Sequence, residues 1–438
     1  MAIGARKRLS VVEYGAPADL TMQIVSAAGI DKGQAGRLID VAGERIARTL
    51  GFNLNPIQTD AKGTRVSDVA GMIRLAPSLE LEIAPKFLGL EETDSTWRED
   101  FYYLANLSRH GRLLASERLR AASGAPQDLA ALVARSLAGM YRDNRRKPLR
   151  AYRTARELSF SIEGDIDPFD LQFPDADGYP QDVIRYDRRN TFNASIVGAA
   201  KSLLPDVSDP VAAKELLRVI EDLPQQSRPE PYRAKKVPGR SRAWQPVIDL
   251  SNDVLRGLGI SYKSGTAAAP GYVVSTWQTW EHLLMVAARF GFGRDAVRAQ
   301  KEQRLGTRQR SSSVETSAFN VFPDLLITAN GSRFVLDAKY KTNSDKGRLR
   351  ISEADTYEAF AFSKATNCQS VVLAYPALPG KKQLPIGRVD LFERITIDKT
   401  RIYGVQVEVR GISRKGGLTA FSGRMRSELT DLLTSAES

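Results

Sequence analysis

Three residues, Asp324, Asp337 and Lys339, combine the side-chain types and the spacing that metal-assisted hydrolysis requires. They lie in two apolar runs that flank the dipeptide Asn330-Gly331, which favours a two-residue type I′ turn between antiparallel strands. This turn predicts a register in which Asp324 sits directly opposite Asp337 on one face of the sheet. Strand alternation places Lys339 on the same face, two residues beyond Asp337.

The predicted arrangement brings together two carboxylates that repel each other. A divalent cation between Asp324 and Asp337 removes this repulsion, polarises a phosphoryl oxygen and lowers the pKa of a bound water. Lys339 then orients that water or stabilises the negative charge that develops during the reaction. These residues predict metal-assisted phosphodiester hydrolysis. The alternative is a surface hairpin with solvated Asp337 and Lys339, because Asp-x-Lys also occurs by chance and a β-bulge would break the pairing.

The supply of histidine and cysteine narrows the kinds of site that the chain can build. It contains only His110, His282 and Cys368 of these two types. Two histidines disfavour a Ser-His-Asp triad and a zinc protease site, and a single cysteine excludes an internal disulfide. A metal in this chain has to be held by carboxylates, which suit Mg²⁺ or Mn²⁺.

A helix on each side of the hairpin is predicted to position these groups. Upstream, the segment that begins at Trp277 has helical spacing, and Glu281 lies beside its apolar stripe. That stripe consists of Trp280, Leu283, Leu284 and Ala287. Glu281 is either a metal ligand, directly or through water, or a solvated helix carboxylate. Downstream, Ser352 and Asp355 resemble a capping box, and the helix leads to a strand at 370–375, which predicts a compact α/β core.

The charge of the chain favours a polyanionic partner, with DNA first. The 438 residues carry a formal net charge of +12, and the sequence pI is about 9.6. A merely basic protein would show the same balance. Three basic stretches are candidates for contacts with DNA phosphates, at 142–150, 233–242 and 294–310. The last is favoured because it lies between Glu281 and Asp324, although each stretch alone also fits a solvated surface.

Length and patterning predict a multidomain α/β protein in three parts. We predict a β-rich unit over residues 1–90 that recognises DNA or another protein, a mainly helical domain over 91–261 and an α/β domain over 262–438. In the first part, residues 35–50 have helical spacing and Gly51 follows as a stop signal. The sequence has no apolar run of membrane-spanning length and no apolar signal core at its N-terminus, so we expect a cytoplasmic location.

The hairpin and the helix after it resemble the nuclease segments of the McrC family, within the PD-(D/E)XK superfamily. The most specific similarity is at 336–341 (Leu-Asp-Ala-Lys-Tyr-Lys) and 355–362 (Asp-Thr-Tyr-Glu-Ala-Phe-Ala-Phe). Looser similarity extends over 71–86 and 164–196. This chain has Glu358 where the family usually has Gln, which leaves open any DNA or metal contact made by that Gln.

The resemblance implies a restriction-endonuclease core in which a central mixed sheet is flanked by helices. In that core Asp324, Asp337, Glu281 and the backbone carbonyl of Ala338 hold the metal, and Lys339 acts beside it. The family also implies a partner, an oligomeric McrB-like AAA+ motor that hydrolyses GTP and is stimulated by this subunit. The sequence contains no phosphate-binding loop of its own, which agrees with nucleotide hydrolysis by a separate motor subunit.

Three functions agree with these features. The first is the nuclease subunit of an anti-phage McrBC-type restriction system, which contacts the motor through residues 91–260, with the turn-rich 164–190 stretch as a candidate. The second is an autonomous nuclease of the same superfamily in DNA repair or recombination. The third is a non-catalytic adaptor that binds DNA and activates the motor. The intact set of Asp324, Asp337 and Lys339 argues against the adaptor.

Overall fold

The chain folds into two compact units, and its two ends belong to the same one. The computed structural model describes residues 7–76, 79–90, 96–110, 129–207, 209–224, 236–256, 271–309, 311, 316–329, 331–341, 343–345, 348–379 and 384–434. One unit combines Met1–Glu117 with Val273–Ser438, and the other is Arg118–Tyr272. The predicted β-rich and nuclease ranges thus share one unit, and the predicted boundary at 262 lies outside the described residues. Three domains with separate roles stay a prediction.

The strands and helices are numbered here in chain order. The strands are β1 (Lys7–Val12), β2 (Ile57–Asp60), β3 (Gly63–Val66), β4 (Val69–Ala76), β5 (Leu79–Ala84), β6 (Ala151–Ser159), β7 (Asp165–Ile166), β8 (Tyr179–Asp187), β9 (Gly271–Ser275), β10 (Val297–Ala299), β11 (Gln303–Gln309), β12 (Thr316–Val321), β13 (Leu325–Ala329), β14 (Ser332–Ala338), β15 (Asn343–Asp345), β16 (Arg348–Arg350), β17 (Ser370–Pro376), β18 (Val389–Ile397) and β19 (Thr400–Val407). The α-helices are α1 (Leu20–Ala28), α2 (Lys32–Leu50), α3 (Thr96–His110), α4 (Leu129–Asn144), α5 (Pro168–Gln172), α6 (Thr191–Leu203), α7 (Pro210–Asp222), α8 (Gln245–Arg256), α9 (Thr276–Phe292), α10 (Glu353–Thr366) and α11 (Gly417–Thr434). Within the described ranges, none of these helices has both the length and the apolar character needed to cross a membrane.

A six-stranded mixed sheet forms the centre of the first unit. Its strand order is β10-β13-β14-β17-β19-β18. The three strands β14, β17 and β19 run parallel, and the pairs β10–β13, β13–β14 and β18–β19 are antiparallel. Every residue of β17 is buried, as expected for a parallel strand that is covered on both faces. The predicted mixed α/β architecture is confirmed.

The hairpin of β13 and β14 has the register that the sequence predicts. Ala329 pairs with Ser332, and the ladder continues without a bulge to the pair of Leu325 and Leu336. Gly331 in the turn has a φ of 78°, a backbone conformation that glycine adopts without a steric penalty. The other predicted turn residue, Asn330, lies outside the described residues.

Helix α9 packs on this sheet through the predicted apolar stripe. Its buried members include all four predicted positions, Trp280, Leu283, Leu284 and Ala287. The indole Nε1 of Trp280 donates to the carbonyl oxygen of Ala374 in β17 at 3.0 Å. A buried indole with a satisfied donor fixes the rotation of the helix, and Glu281 is the next residue along it.

Helix α10 begins at the predicted N-cap. The side chain of Ser352 accepts a hydrogen bond from the amide of Asp355 at 3.0 Å. The Asp355 carboxylate accepts a hydrogen bond from the hydroxyl of Tyr375 at 3.1 Å. Asp355 is thus engaged with β17, and it does not supply the reciprocal hydrogen bond of a capping box among the described residues. On the core side, Ala359 and Phe362 pack with the apolar residues of β17.

A four-stranded sheet, ordered β1-β5-β4-β9, contains the N-terminal strands of the same unit. All six residues of β5 are buried, so the alternation of Leu and Glu does not correspond to one solvent-exposed face and one buried face. Glu82 is ion-paired with Arg98 at 2.5 Å and with Arg8 at 3.2 Å, and Glu80 is paired with Arg8 at 3.3 Å. Such partners are what allow a buried carboxylate to keep its charge.

Helix α2 agrees with the sequence prediction for residues 35–50. It starts earlier, at Lys32, because Asp31 and Gln34 form a capping box. It ends at Leu50, and Gly51 follows with a φ of 73° in the left-handed conformation.

The second unit combines helices with a three-stranded sheet ordered β6-β8-β7. Strands β6 and β8 pair over nine residues, from Ala151 opposite Asp187 to Ser159 opposite Tyr179. The helices α4, α6, α7 and α8 lie within the 91–261 range that was predicted to be mainly helical. The 164–190 stretch, predicted to be turn-rich, instead contains the regular strand β8 as well as the short α5.

Candidate active site

Asp324 and Asp337 lie side by side at the end of the β13–β14 hairpin. The amide of Asp324 donates to Oδ1 of Asp337 at 3.4 Å, and the amide of Ala338 donates to Oδ2 of Asp324 at 2.8 Å. Asp324 directly precedes β13, one position beyond the last ladder pair, so the predicted register carries both carboxylates to one point. The hairpin thereby creates the acidic pair that the sequence predicts.

The proximity and burial of the two carboxylates disfavour their charged forms. Burial, the charge of Asp337 and, more weakly, the charge of Glu281 raise the pKa of Asp324 to about 8. Asp337 is only 4% exposed, and burial also raises its pKa, although the positive charge of Lys339 opposes this shift. At neutral pH the pair therefore retains a proton that a cation bound between the carboxylates would displace.

Lys339 lies among three carboxylates. Its Nζ atom is 2.5 Å from Oε2 of Glu358, 2.8 Å from Oδ2 of Asp337 and 3.6 Å from Oδ1 of Asp355. Burial lowers the pKa of Lys339, but the attraction of Asp337 and Glu358 outweighs burial and leaves the pKa raised. Lys339 is therefore a fixed positive charge at neutral pH.

Glu281 lies on α9 near the acidic pair and lines the smaller cavity together with Asp324. Burial and the charge of Asp337 raise its pKa, while a hydrogen bond from the side chain of Gln300 to its Oε1 lowers it. Gln300, whose φ is 43°, also donates its backbone amide to the carbonyl oxygen of Asp324 at 2.8 Å. Gln300 thus connects the α9 carboxylate with the Asp324 strand.

The donor set fits a hard divalent cation. Oδ2 of Asp337 is buried and makes no well-aligned hydrogen bond to any described residue, although Lys339 lies beside it. No three His, Cys, Asp or Glu side chains of the described residues converge into a ready-made metal cage. Two side chains, those of Asp324 and Asp337, could hold Mg²⁺ or Mn²⁺ together with water and the predicted ligand at the Ala338 carbonyl, and a contact of Glu281 with the metal stays a prediction.

Two cavities open beside these groups within the first unit. The larger, of about 880 Å³, is bounded on one side by Glu281, Ala338 and Lys339 and on another by residues 51–56. The smaller, of about 450 Å³, is lined by Asp324, Glu281 and Gln300 among others. Lys339 and Glu281 thus border the larger cavity and Asp324 borders the smaller one, whereas the buried Asp337 lines neither.

Comparison with known proteins assigns the chain to a family. The family model of the McrBC 5-methylcytosine restriction system component matches residues 64–376. The chain belongs to this family. The predicted membership of the McrC family is thereby confirmed. No curated protein matches the sequence.

The McrBC-family fold also has relatives among solved structures. The fold is similar to that of a chain in the assembly of Thermococcus gammatolerans McrB AAA+ hexamers with bound McrC, at a TM-score of 0.64 and 12% identity. That match covers 97% of this chain and 100% of the other. A second similarity is to the Thermococcus gammatolerans McrBC complex, at a TM-score of 0.41 and 12% identity, covering 63% of this chain and 85% of the other.

Several members of the site in this McrBC-family chain were not predicted from its sequence. The contact of Lys339 with Glu358 was not foreseen, although Glu358 had been singled out as a departure from the family pattern. Gln300 carried no signal, since a lone Gln in a basic stretch resembles any exposed polar residue. Two buried residues that hydrogen-bond to Tyr340, Glu13 and Lys86, come from the N-terminal part of the sequence. No spacing rule connects these two residues with the hairpin.

The favoured basic stretch of this McrBC-family chain lies near the site, as its position in the sequence suggested. Arg294, Arg298, Arg304 and Arg308 are exposed. Arg298 sits in β10, opposite Leu326 of β13, the strand that Asp324 precedes. Arg310 and residues 233–235 of the second stretch lie outside the described residues. Contacts of these side chains with DNA stay a prediction.

Proposed function

We propose that this chain is the nuclease subunit of an McrBC-type restriction system and hydrolyses DNA with Mg²⁺ or Mn²⁺ in a PD-(D/E)XK-like core. The observation that carries this proposal is the adjacent pair of half-buried Asp324 and buried Asp337, with Nζ of Lys339 lying 2.8 Å from Oδ2 of Asp337. A hairpin that merely stabilised the fold would gain nothing from two adjacent carboxylates with raised pKa values. Membership of the McrBC family supports the same reaction.

Each residue of the site has a distinct task in this proposal. Asp324 and Asp337 supply the carboxylate oxygens that a hard cation prefers, and Glu281 and the Ala338 carbonyl are auxiliary ligands. The cation, when bound, supplies Lewis-acid activation of the phosphodiester and a lower pKa of an attacking water. Lys339 stays protonated between Asp337 and Glu358 and stabilises the negative charge that develops on the phosphoryl oxygens.

The substrate reaches Lys339 and Glu281 through the larger cavity. Its volume of about 880 Å³ accommodates several groups of a DNA strand beside Lys339. The exposed arginines of the 294–310 stretch supply charge that attracts phosphates, and such contacts weaken as the salt concentration rises.

We further propose that an oligomeric AAA+ GTPase activates the nuclease and is stimulated by it. The fold resembles a chain from an assembly of McrB AAA+ hexamers with bound McrC. The second unit displays large apolar side chains that a monomer in water would bury. Phe160, Ile162, Phe169, Phe173 and Ile184 are each more than 60% exposed, at 65%, 61%, 68%, 63% and 70%. An exposed apolar surface of this kind marks a site of protein association, which supports the predicted contact in 164–190.

Cleavage of DNA by matched variants tests the proposal. Wild type, Asp337→Asn and the control Asp390→Asn, an exposed aspartate of β18, are compared with Mg²⁺ on DNA with and without 5-methylcytosine. Each is assayed with and without the candidate GTPase and GTP. The proposal expects cleavage by wild type and by the control only with partner and GTP, and none by Asp337→Asn.

Two other results would lead to the competing functions. Cleavage by wild type without any partner would indicate an autonomous nuclease. Equal cleavage by wild type and Asp337→Asn, or stimulation of the GTPase without any cleavage, would remove the proposed active site and favour an adaptor.

A further inference from the structure

The carboxylate of Glu13 is fully buried directly after β1. Its Oε1 atom accepts a hydrogen bond from the hydroxyl of Thr276 at 2.5 Å, and its Oε2 atom accepts one from the hydroxyl of Tyr340 at 2.5 Å. The backbone amide of Lys86 donates to Oε2 at 3.4 Å. These four residues come from distant parts of the sequence and belong to one compact unit.

The two hydroxyl groups belong to the two elements that carry active-site groups. Tyr340 directly follows Lys339 at the end of β14, and Thr276 is the first residue of α9, which carries Glu281. A single carboxylate therefore connects the strand end that bears Lys339 with the helix that bears Glu281.

Lys86 contacts both the main chain and the aromatic ring of Tyr340 at the end of β14. Its Nζ atom donates to the backbone carbonyl oxygen of Tyr340 and lies 4.2 Å from the centroid of the Tyr340 ring. The amide of Lys339 donates to the carbonyl oxygen of Ala374 at 2.9 Å. The backbone of Lys339 is consequently fixed both at its own amide and at the residue that follows.

Glu13 and Lys86 are buried ionisable residues, and apolar side chains at their positions would be buried at a lower cost in free energy. Burial raises the pKa of Glu13 to about 7, and burial lowers the pKa of Lys86 to about 8. A buried ion pair is frequently less stabilising than apolar residues of similar volume. Directional hydrogen bonds to a charged acceptor do, however, restrict the positions of their donors more tightly than apolar contacts do.

We propose that Glu13, assisted by Lys86, is a positioning residue of the nuclease site that sets the relative placement of Lys339 and Glu281. The inference rests on the proposed nuclease function for its consequence in catalysis, while the anchoring itself can be measured separately. Catalysis is sensitive to such placement, because a displacement of about 1 Å can cost roughly 10²-fold in rate.

Two conservative variants each remove one of the hydrogen bonds to Glu13, and two matched variants serve as controls. Tyr340→Phe and Thr276→Val delete one hydroxyl each. Tyr403→Phe deletes the hydroxyl of a buried tyrosine that has no hydrogen-bond partner among the described residues. Thr279→Val deletes a hydroxyl of α9 that donates to the carbonyl oxygen of the N-cap residue Ser275 at 2.8 Å. The full-length proteins are compared in single-turnover DNA cleavage with the GTPase partner over a Mg²⁺ titration, and in amide hydrogen exchange.

The proposal expects different defects from the two test variants. Tyr340→Phe should lower the maximal rate at least about tenfold at saturating Mg²⁺ with an unchanged KM for DNA, and should speed exchange in residues 337–341. Thr276→Val should raise the Mg²⁺ concentration for half-maximal cleavage and speed exchange in residues 276–281. The two controls should match wild type in rate, Mg²⁺ dependence and exchange of both segments.

The cleavage and exchange measurements distinguish failure of the positioning role of Glu13 from failure of the proposed nuclease function. If wild type cleaves DNA and both test variants retain its rate and Mg²⁺ dependence, the positioning role is wrong. If wild type never cleaves, the proposed function fails, and exchange alone decides the anchoring. Faster exchange in 337–341 for Tyr340→Phe then supports the anchor, and unchanged exchange overturns it.

Discussion

Nζ of Lys339 lies 2.5 Å from Oε2 of Glu358, so the residue at the position where the McrC family usually has Gln touches the central lysine of the site. Glu358 sits in α10, two turns from the Ser352 cap, and its side chain is half exposed. Its negative charge raises the pKa of Asp337, and it holds Lys339 in an ion pair. A Gln at this position would keep a polar contact with Lys339 and remove the charge.

Glu358→Gln is expected to retain DNA cleavage and to lower the Mg²⁺ concentration needed for half-maximal rate. Without the charge of Glu358, Asp337 loses its proton more readily and binds a cation at a lower pH. The change should be modest, within about threefold, because the half-exposed Glu358 is screened by solvent. A Mg²⁺ titration of the cleavage rate checks it, and a requirement that rises, or activity that disappears, would contradict the expectation.

Asp324→Asn is expected to stabilise the metal-free protein at alkaline pH. The folded protein keeps the Asp324 proton up to about pH 8, whereas the unfolded chain releases it near the ordinary pKa of 3.8. Folded molecules thus bind more protons, and the free energy of unfolding falls as the pH rises through this window. Thermal unfolding without divalent cations should show a Tm that declines towards pH 8 in wild type and less in the variant. Identical slopes would contradict this.

The same Asp324→Asn variant is expected to lose the stabilisation by Mg²⁺. A cation that binds the folded state alone raises the Tm of wild type with its concentration, and the variant lacks one of the two carboxylates. Mn²⁺ serves as a second probe, and Ca²⁺ tests whether any hard cation suffices. Equal Tm increases in wild type and variant would place the metal elsewhere.

Lys339→Met is expected to lower the rate of DNA cleavage by roughly 10²–10³-fold while DNA binding persists. The methionine preserves the aliphatic length and removes only the positive charge that faces the phosphoryl oxygens. Lys399→Met, an exposed lysine at the β18–β19 turn, is the matched control and should cleave as wild type. Cleavage rates near the wild-type value for Lys339→Met would show that its charge has no part in the reaction.

Phe169→Ser and Phe173→Ser are expected to weaken association with the AAA+ GTPase and to reduce its stimulation. Both rings are exposed, and they pack against each other with centroids 5.1 Å apart, so their loss should leave the Tm of the isolated chain almost unchanged. Phe290→Ser, an exposed phenylalanine of α9, is the control. Sedimentation with the GTPase and its GTP hydrolysis rate report the effect. Undiminished association of both variants would direct attention to another surface.

Much of the active-site hairpin was predictable from the sequence because its determinants are local. The turn, the alternation of apolar residues and the pair of carboxylates lie within one short segment, and strand geometry alone carries Asp324 to Asp337. The stripe of α9 and the caps at Ser352 and Gly51 are local for the same reason. Their side chains bond to backbone groups a few residues away, so spacing specifies them.

The tertiary structure alone decided what surrounds these groups. The sequence places Glu13, Lys86, Thr276 and Tyr340 in separate segments, and only the tertiary packing within the first unit brings them together. The tertiary structure also decided that Glu80 and Glu82 are buried, and that Met1–Glu117 and Val273–Ser438 share one compact unit. Contacts between distant segments depend on how whole elements pack, and a period of two or 3.6 residues contains no information about which partner lies on the buried face.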